Sequence, residues 1–347
     1  MRRPLYSIAV LLMLASFVAA CGSDDGGSSS GGNGGSKATP AAKKIRVGLV
    51  TDIGGLNDRG FNQLANQGLE RAKKELGIEG RVLVSKQNSD YIPNLSTLAQ
   101  QKYDLIIGNG FLMAAAMNTV ASKFPGPKFG IIDVDATTLK SKPQNVQGLL
   151  FKEQEAGYLV GYMAGLYLKD NGGGTAASVG GQKIPPVDHY IAGYQAGVKA
   201  ADPKAKTVNG YSQKFDDPAP CKELALNQIA QGAKVMFQVA GGCGLGALDA
   251  AKEKKVEGIG VDADQGYLGT HNMTSALKKV DVAVFDTIKA AQDGTFKGGT
   301  NTVFDVKSGA VGIGKTNDVG AKYADQVKQQ QDKIASGELS DIPDTVK

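Results

Sequence analysis

The sequence predicts an α/β protein made of two doubly wound lobes, each a parallel sheet covered by helices. Three observations lead there. From Ile45 onward, short apolar runs alternate with longer stretches of helical period, the grammar of strand, helix, strand. About ten such runs occur, and two sheets of about five strands hold them better than one very wide sheet. The chain has 347 residues, 41% hydrophobic and 21% charged, more than one compact core usually serves.

In chain order the expected strands are "IRVGLV", "RVLVS", "DLIIGNG", "KFGIID", "NVQGLLF", "TAASVGG", "KTVNGYS", "KVMFQVA", "VEGIGVD" and "NMTSALK". Amphipathic stretches such as "FNQLANQGLERAKKELG" and "PCKELALNQIAQGAKV" lie between them as covering helices. The pattern restarts near "NVQGLLFKEQEAGYLVGYMAGLY", so the first lobe is expected to take residues 45–150 plus about 267–300, and the second 151–266 plus about 301–347. The run "GYLVGYMAGLYL" is apolar but short and punctuated by glycine, hence a buried helix and not a membrane span. The last helix, around "AKYADQVKQQQDKIASGEL", is strongly polar and should lie on a lobe surface.

Residues 1–20 read as an export signal, with Arg2 and Arg3 ahead of "LYSIAVLLMLASFVAA" and small residues just before Cys21. The ending "VAAC" resembles the lipobox of bacterial lipoproteins, in which the cysteine is lipidated and becomes the mature N-terminus. Residues 21–44 form a Gly/Ser tract with no apolar face, a flexible tether spanning roughly 25–30 Å. The folded part would then sit at the outer face of the cytoplasmic membrane. Without Arg2 and Arg3 the formal charge falls from +5 to +3, and no dense basic stripe suggests nucleic acid. Beyond Cys21 only Cys221 and Cys243 remain, an even pair in an exported chain, so a disulfide worth about 3 kcal/mol is expected. His189 and His271 stand apart from one another and from any close-spaced ligand set, so no metal is expected.

In open α/β sheets, ligands bind at the carboxyl ends of the strands. Here the first strand ends at Asp52, followed by Asn57, Asp58, Phe61 and Asn62; the third ends in "GNGF" with Gly110. The fourth ends in "IIDVDA" with Asp133 and Asp135, the eighth in "AGGCGLG" with Gly241 and Gly242, the ninth in "VDADQ" with Asp262, Asp264 and Gln265. Any one of these alone reads equally as a helix cap or a turn residue. Their recurrence at one structural place points to a ligand. So many carboxylates would repel phosphate, whereas hydroxyls and ring N–H groups are good donors to them. Phe61 is either a packing staple or a stacking face for a flat ring. Acids for a sugar and an aromatic face for a base together suit a nucleoside.

The segments "VGLVTDIGGLNDRGFNQ", "EAGYLVGYMAGL", "MFQVAGGCGLG", "GVDADQ" and "TSALKKVDVAVFD" resemble the basic membrane protein family, which includes nucleoside-binding lipoproteins of ABC importers. The resemblance implies a type I periplasmic-binding-protein fold, two lobes joined by a hinge with the ligand closed between them. It implies that Asp52 and Phe61 contact the base, that Asp262 holds ribose hydroxyls, that Lys278 reaches the ligand or its acids, and that Asp133 is a further contact. It also implies a monomeric, cofactor-free, non-enzymatic protein that delivers a purine nucleoside to an ABC permease. A second aromatic wall is not assigned.

Three rival readings exist. Gly242, Gly244 and Ala247 with Asp262 match a dinucleotide fingerprint, which the acid-rich surroundings disfavour. "TDIGGLND" superficially resembles the metal loop of calcium-dependent nucleoside hydrolases, but the adjacent aspartates that would complete the cluster are absent. A sugar or polyol on the same fold is the third, since fold does not dictate ligand.

Overall fold

A computed structural model describes residues 44–346, so Cys21, the export signal and nearly all of the tether lie outside the described residues. The strands are β1 (Arg46–Val50), β2 (Glu79–Leu83), β3 (Leu105–Asn109), β4 (Lys128–Ile132), β5 (Val146–Phe151), β6 (Thr175–Gly180), β7 (Lys206–Tyr211), β8 (Ala233–Val239), β9 (Glu257–Asp262), β10 (Asn272–Lys278), β11 (Asn301–Phe304) and β12 (Val311–Ile313). Between them run α1 (Phe61–Leu76), α2 (Tyr91–Gln100), α3 (Ala114–Lys123), α4 (Glu153–Asp170), α5 (Pro185–Ala201), α6 (Pro218–Ala230), α7 (Gly241–Lys254) and α8 (Val280–Asp293), with α9 (Asp318–Ala321) and α10 (Ala324–Ser336) closing the chain.

The strands form two six-stranded sheets, ordered β11-β5-β4-β3-β1-β2 and β12-β10-β9-β8-β6-β7. Every neighbouring pair is parallel except β10 with β12. The order reverses beside β1 in the first sheet and beside β6 in the second, and the strands flanking those points carry the site loops. The central strand β3, with all five residues buried, is apolar from Leu105 to Gly108 because helices cover both faces, and turns polar only at Asn109, at its carboxyl end.

The chain crosses between the lobes three times, after β5, after β10 and after β11. This corrects two expected lobe boundaries, since β10 belongs to the second sheet and β11 to the first. Residues 263–271, which join the parallel strands β9 and β10, hold only a single 3-10 turn (Gly266–Leu268), so they looked like a lobe crossing. The crossings are tied together: the Val306 amide donates to Glu155 Oε2 at 2.8 Å and the Lys279 amide to the Ala310 carbonyl at 2.8 Å.

The apolar run expected as a buried helix is α4, whose glycines let α5 pack against it backbone to backbone. A Cβ on Gly161 would lie 2.1 Å from the Tyr194 carbonyl oxygen, and one on Gly197 2.1 Å from that of Tyr158. Gly161→Val is therefore expected to cost about 3 kcal/mol or more, read as a lower urea midpoint with an unchanged slope. An unchanged midpoint would mean that the two helices can separate freely. Among the described residues no helix is long and apolar enough to cross a membrane. Only Val327 and Ile334 of α10 are buried, in keeping with a surface helix.

Candidate functional site

The loop after β1 is braced before it can bind anything. The Asp52 amide donates to Asn62 Oδ1 at 2.9 Å, and Asn62 Nδ2 donates to the carbonyls of Asp52 and Ile53 at 3.3 and 3.2 Å. Asn109 Nδ2 adds a second bond to Asn62 Oδ1 at 2.9 Å, so the amide of Asn62 is fully occupied by protein. Asp58 accepts from the amides of Gly60, Asn62 and Gln63 at 3.1, 2.7 and 3.1 Å, satisfying orphan donors at the start of α1. Both residues border the cleft, but these bonds make them supports for it.

Asp52 is different. Its Oδ1 takes the Ile53 amide at 2.7 Å and the Tyr91 hydroxyl, while Oδ2 receives no hydrogen bond from the described residues. Gly110 stands beside that free oxygen with φ +125°, and a Cβ there would come within 2.3 Å of it. Burial pushes the Asp52 carboxyl up to about 6, against the pull of the Tyr91 and Ile53 bonds.

Two further acids stand at strand ends in left-handed backbone, Asp133 after β4 (φ 67°) and Asp262 at the end of β9 (φ 62°). Aspartate tolerates this conformation better than most residues. Asp262 Oδ1 accepts from the Tyr190 hydroxyl of α5 at 3.2 Å, and burial raises its carboxyl to about 7. Asp133 Oδ1 receives Lys278 Nζ at 2.6 Å, and the same ammonium reaches Glu153 Oε1 at 2.8 Å. Glu153 Oε2 in turn meets His189 Nδ1 at 3.1 Å. Burial raises the Asp133 carboxyl to about 6, with Lys278 pulling the other way. Burial opposes the Lys278 charge, but Asp133, Glu153 and Asp262 override it and hold the lysine above its usual range. The ammonium also lies 5.1 Å from the Phe61 ring centroid and 4.9 Å from that of Phe151.

One cleft brings together Asp52, Asp58, Phe61, Asn62, Gly110 and Asp133 from the first lobe with Gly241, Asp262 and Lys278 from the second. Two expected residues are not on its wall. Asn57 is solvent-exposed, and Gly242 packs behind the wall, where a Cβ would meet the Phe215 carbonyl at 3.2 Å. Asp135 caps the turn at Ala136–Thr138, accepting from the Thr137 amide at 2.8 Å, and Asp264 accepts from the Gly266 amide at 3.2 Å. Gln265 bridges the lobes instead, donating to the Arg59 carbonyl at 3.0 Å. The wall also contains residues that sequence reasoning missed, above all Phe215 and Tyr190. Phe215 carried a readable signal, a lone aromatic in the polar loop "SQKFDDP", as Phe61 did.

The dinucleotide fingerprint does not fit. A Cβ at Gly244 would lie 1.7 Å from Gln238 Oε1 and one at Gly246 2.0 Å from the Pro218 carbonyl, so these glycines serve packing. The Cys243 amide, at the start of α7, donates to the Phe215 carbonyl at 3.1 Å, leaving less of that helix end for a pyrophosphate. Cys221 and Cys243 are joined in a disulfide with 5.6 Å between Cα atoms. No group of His, Cys, Asp and Glu suited to a metal ion occurs among the described residues.

The raised acids predict a pH dependence. Asp52, Asp133 and Asp262, ordinarily near 3.8, keep protons in the folded protein that the unfolded chain has released, so raising the pH works against folding. Burial lowers His189, but Glu153 more than offsets this, and loss of that proton acts in the same direction. Calorimetry should show the ligand-free melting temperature falling by about 5 °C between about pH 5 and about pH 8. A rise over that interval would contradict the assignment.

Two parallel-sheet lobes whose strand ends converge on a buried, acid-lined cleft define a two-lobed solute-binding protein. Comparison narrows this: residues 45–345 match the family described as ABC transporter substrate-binding protein PnrA-like, and the chain belongs to that family. An uncharacterized lipoprotein of Pyrococcus abyssi is 37% identical over 96% of this chain and 81% of its own length. The ABC transporter nucleoside-binding protein BmpA of Lactococcus lactis is 31% identical over 85% of this chain and 88% of its own. A solved ABC transporter solute-binding protein from Aeropyrum pernix K1 superposes with a TM-score of 0.78 at 28% identity, covering 86% of this chain and 94% of that one. The fold is that of the periplasmic solute-binding proteins.

Proposed function

We propose that this protein captures a purine nucleoside between its lobes and presents it to an ABC permease, held at the outer face of the cytoplasmic membrane by a lipid on Cys21. The observation that carries the ligand reading is the pairing, in one cleft, of acids from both lobes with the rings of Phe61 and Phe215. Asp52 has a free oxygen for a donor on the base, and Asp262 accepts hydroxyls, with Tyr190 fixing its orientation. The buried Lys278 is already neutralised by Asp133 and Glu153, which leaves little attraction for a phosphate. The name of the Lactococcus relative supports the ligand class, and that of the Pyrococcus relative supports the anchor. Ligand contacts supplied by both lobes exist together only when the lobes are closed, so binding shifts a hinge equilibrium by its differential affinity.

A free sugar is the alternative occupant of the same acids, and Phe61 separates the two. Phe61→Ala is expected to weaken purine nucleosides about tenfold while changing ribose binding less than about twofold, measured by competition. Equal losses would remove the stacking role. The whole reading is tested by melting the protein with guanosine, inosine, adenosine, cytidine, ribose or NAD. The purine nucleosides should raise the melting temperature most; a response confined to sugars would move the assignment to a sugar-binding protein.

A further inference from the structure

The disulfide lies beside the cleft. It joins the first turn of α6 to the first turn of α7, and the segment 212–217 that leads into α6 carries Phe215. That segment is tied to the bond at two points. The Ser212 hydroxyl oxygen lies 3.3 Å from Cys221 Sγ and 3.4 Å from Cys243 Sγ, and the same oxygen takes the Lys214 amide at 3.3 Å and touches the Gly180 carbonyl at 3.2 Å. The Cys243 amide holds the Phe215 carbonyl at 3.1 Å. The ring is seated on Gly181, where a Cβ would fall 2.2 Å from it, and the Phe215 carbonyl faces Gly54 of the first lobe's loop, 3.5 Å from where a Cβ would stand. Both cysteines are fully buried, so the bond belongs to the packed interior behind the wall.

We infer that the Cys221–Cys243 disulfide is a positioning element of the ligand cleft: made, it holds the 212–217 segment so that Phe215 forms a wall; absent, it releases the segment and ligand affinity falls. This rests on the nucleoside reading above for its ligand, though not for its geometry. A bond that served only global stability would lower the melting temperature without acting through Phe215.

The test uses the full-length chain with Cys221→Ala and Cys243→Ala together, in the native background and with Phe215→Ala. Hydrogen exchange should quicken in 212–217 while β6 and β8 keep their protection. Guanosine affinity should fall about tenfold in the native background and less than about twofold with Phe215→Ala, the non-additivity expected of residues acting as one unit. Unchanged exchange in 212–217, or equal affinity losses in both backgrounds, would overturn the inference. If guanosine fails to bind even the disulfide-bonded protein, the nucleoside reading fails, and exchange alone still decides the positioning role. If the double alanine variant does not fold, Cys221→Ser together with Cys243→Ser replaces it, and unchanged protection in 212–217 without the bond would again overturn the inference.

Discussion

A Lys278→Met variant is expected to lose about 3–5 kcal/mol of stability near neutral pH, the usual cost of removing one partner from a buried ion pair. The ammonium is 2% exposed and sits between Asp133 and Glu153, which are themselves buried. Without it, those carboxylates and Asp262 share one dry region with His189 as the remaining nearby cation. They would respond by holding protons, which sets the sign of the pH effect. A carboxylate with a raised folded value destabilises as the pH rises through it, so the loss should be largest in alkali and shrink toward acid. Urea unfolding at several pH values reads both features. Replacing Asp133 and Glu153 by Asn and Gln in the same variant should recover much of the loss, because well-packed neutral groups then occupy the site. A small, pH-independent loss would show that water reaches the cluster.

Asp262→Ala is expected to weaken guanosine binding by about 3 kcal/mol or more, roughly a hundredfold, by removing charged acceptors from ligand hydroxyls. It also strips the buried Tyr190 hydroxyl of its partner and places alanine at φ 62°. Asp262→Asn separates these effects, since asparagine tolerates the left-handed backbone and still accepts from Tyr190. Its affinity loss reports the charge together with the one acceptor oxygen that becomes an N–H donor. Asp264→Ala, two residues on and off the cleft wall, should change affinity less than about twofold. Calorimetric titration of the three variants checks the set; equal affinities for native and Asp262→Asn protein would remove the charge argument.

The alternating pattern revealed ten strands and the two-lobed architecture because short strand-forming runs recur between longer stretches of helical period. β11 and β12 escaped because four and three residues are too few for a period, and their partners are set by the crossings. Within the site, strand ends identified Asp52, Asp133 and Asp262 by position alone. What position could not supply was the use of each polar valence. Asn62 looked like a ligand contact yet spends its whole amide on the loop, and Asn57 points to solvent. Glu153 carried no signal in the sequence and His189 only that of an isolated histidine, because the lysine that makes Glu153 part of the cluster lies 125 residues away. Pairings of that span are written in the topology and not in local pattern.

The most direct measurement is calorimetric titration of the protein, unfolded and refolded to strip any carried ligand, against guanosine, inosine, cytidine and ribose. Saturable one-to-one binding of the purine nucleosides, with ribose far weaker, is the predicted result. No heat with any nucleoside from demonstrably folded protein would contradict it and leave a solute-binding protein of the same family with a different solute.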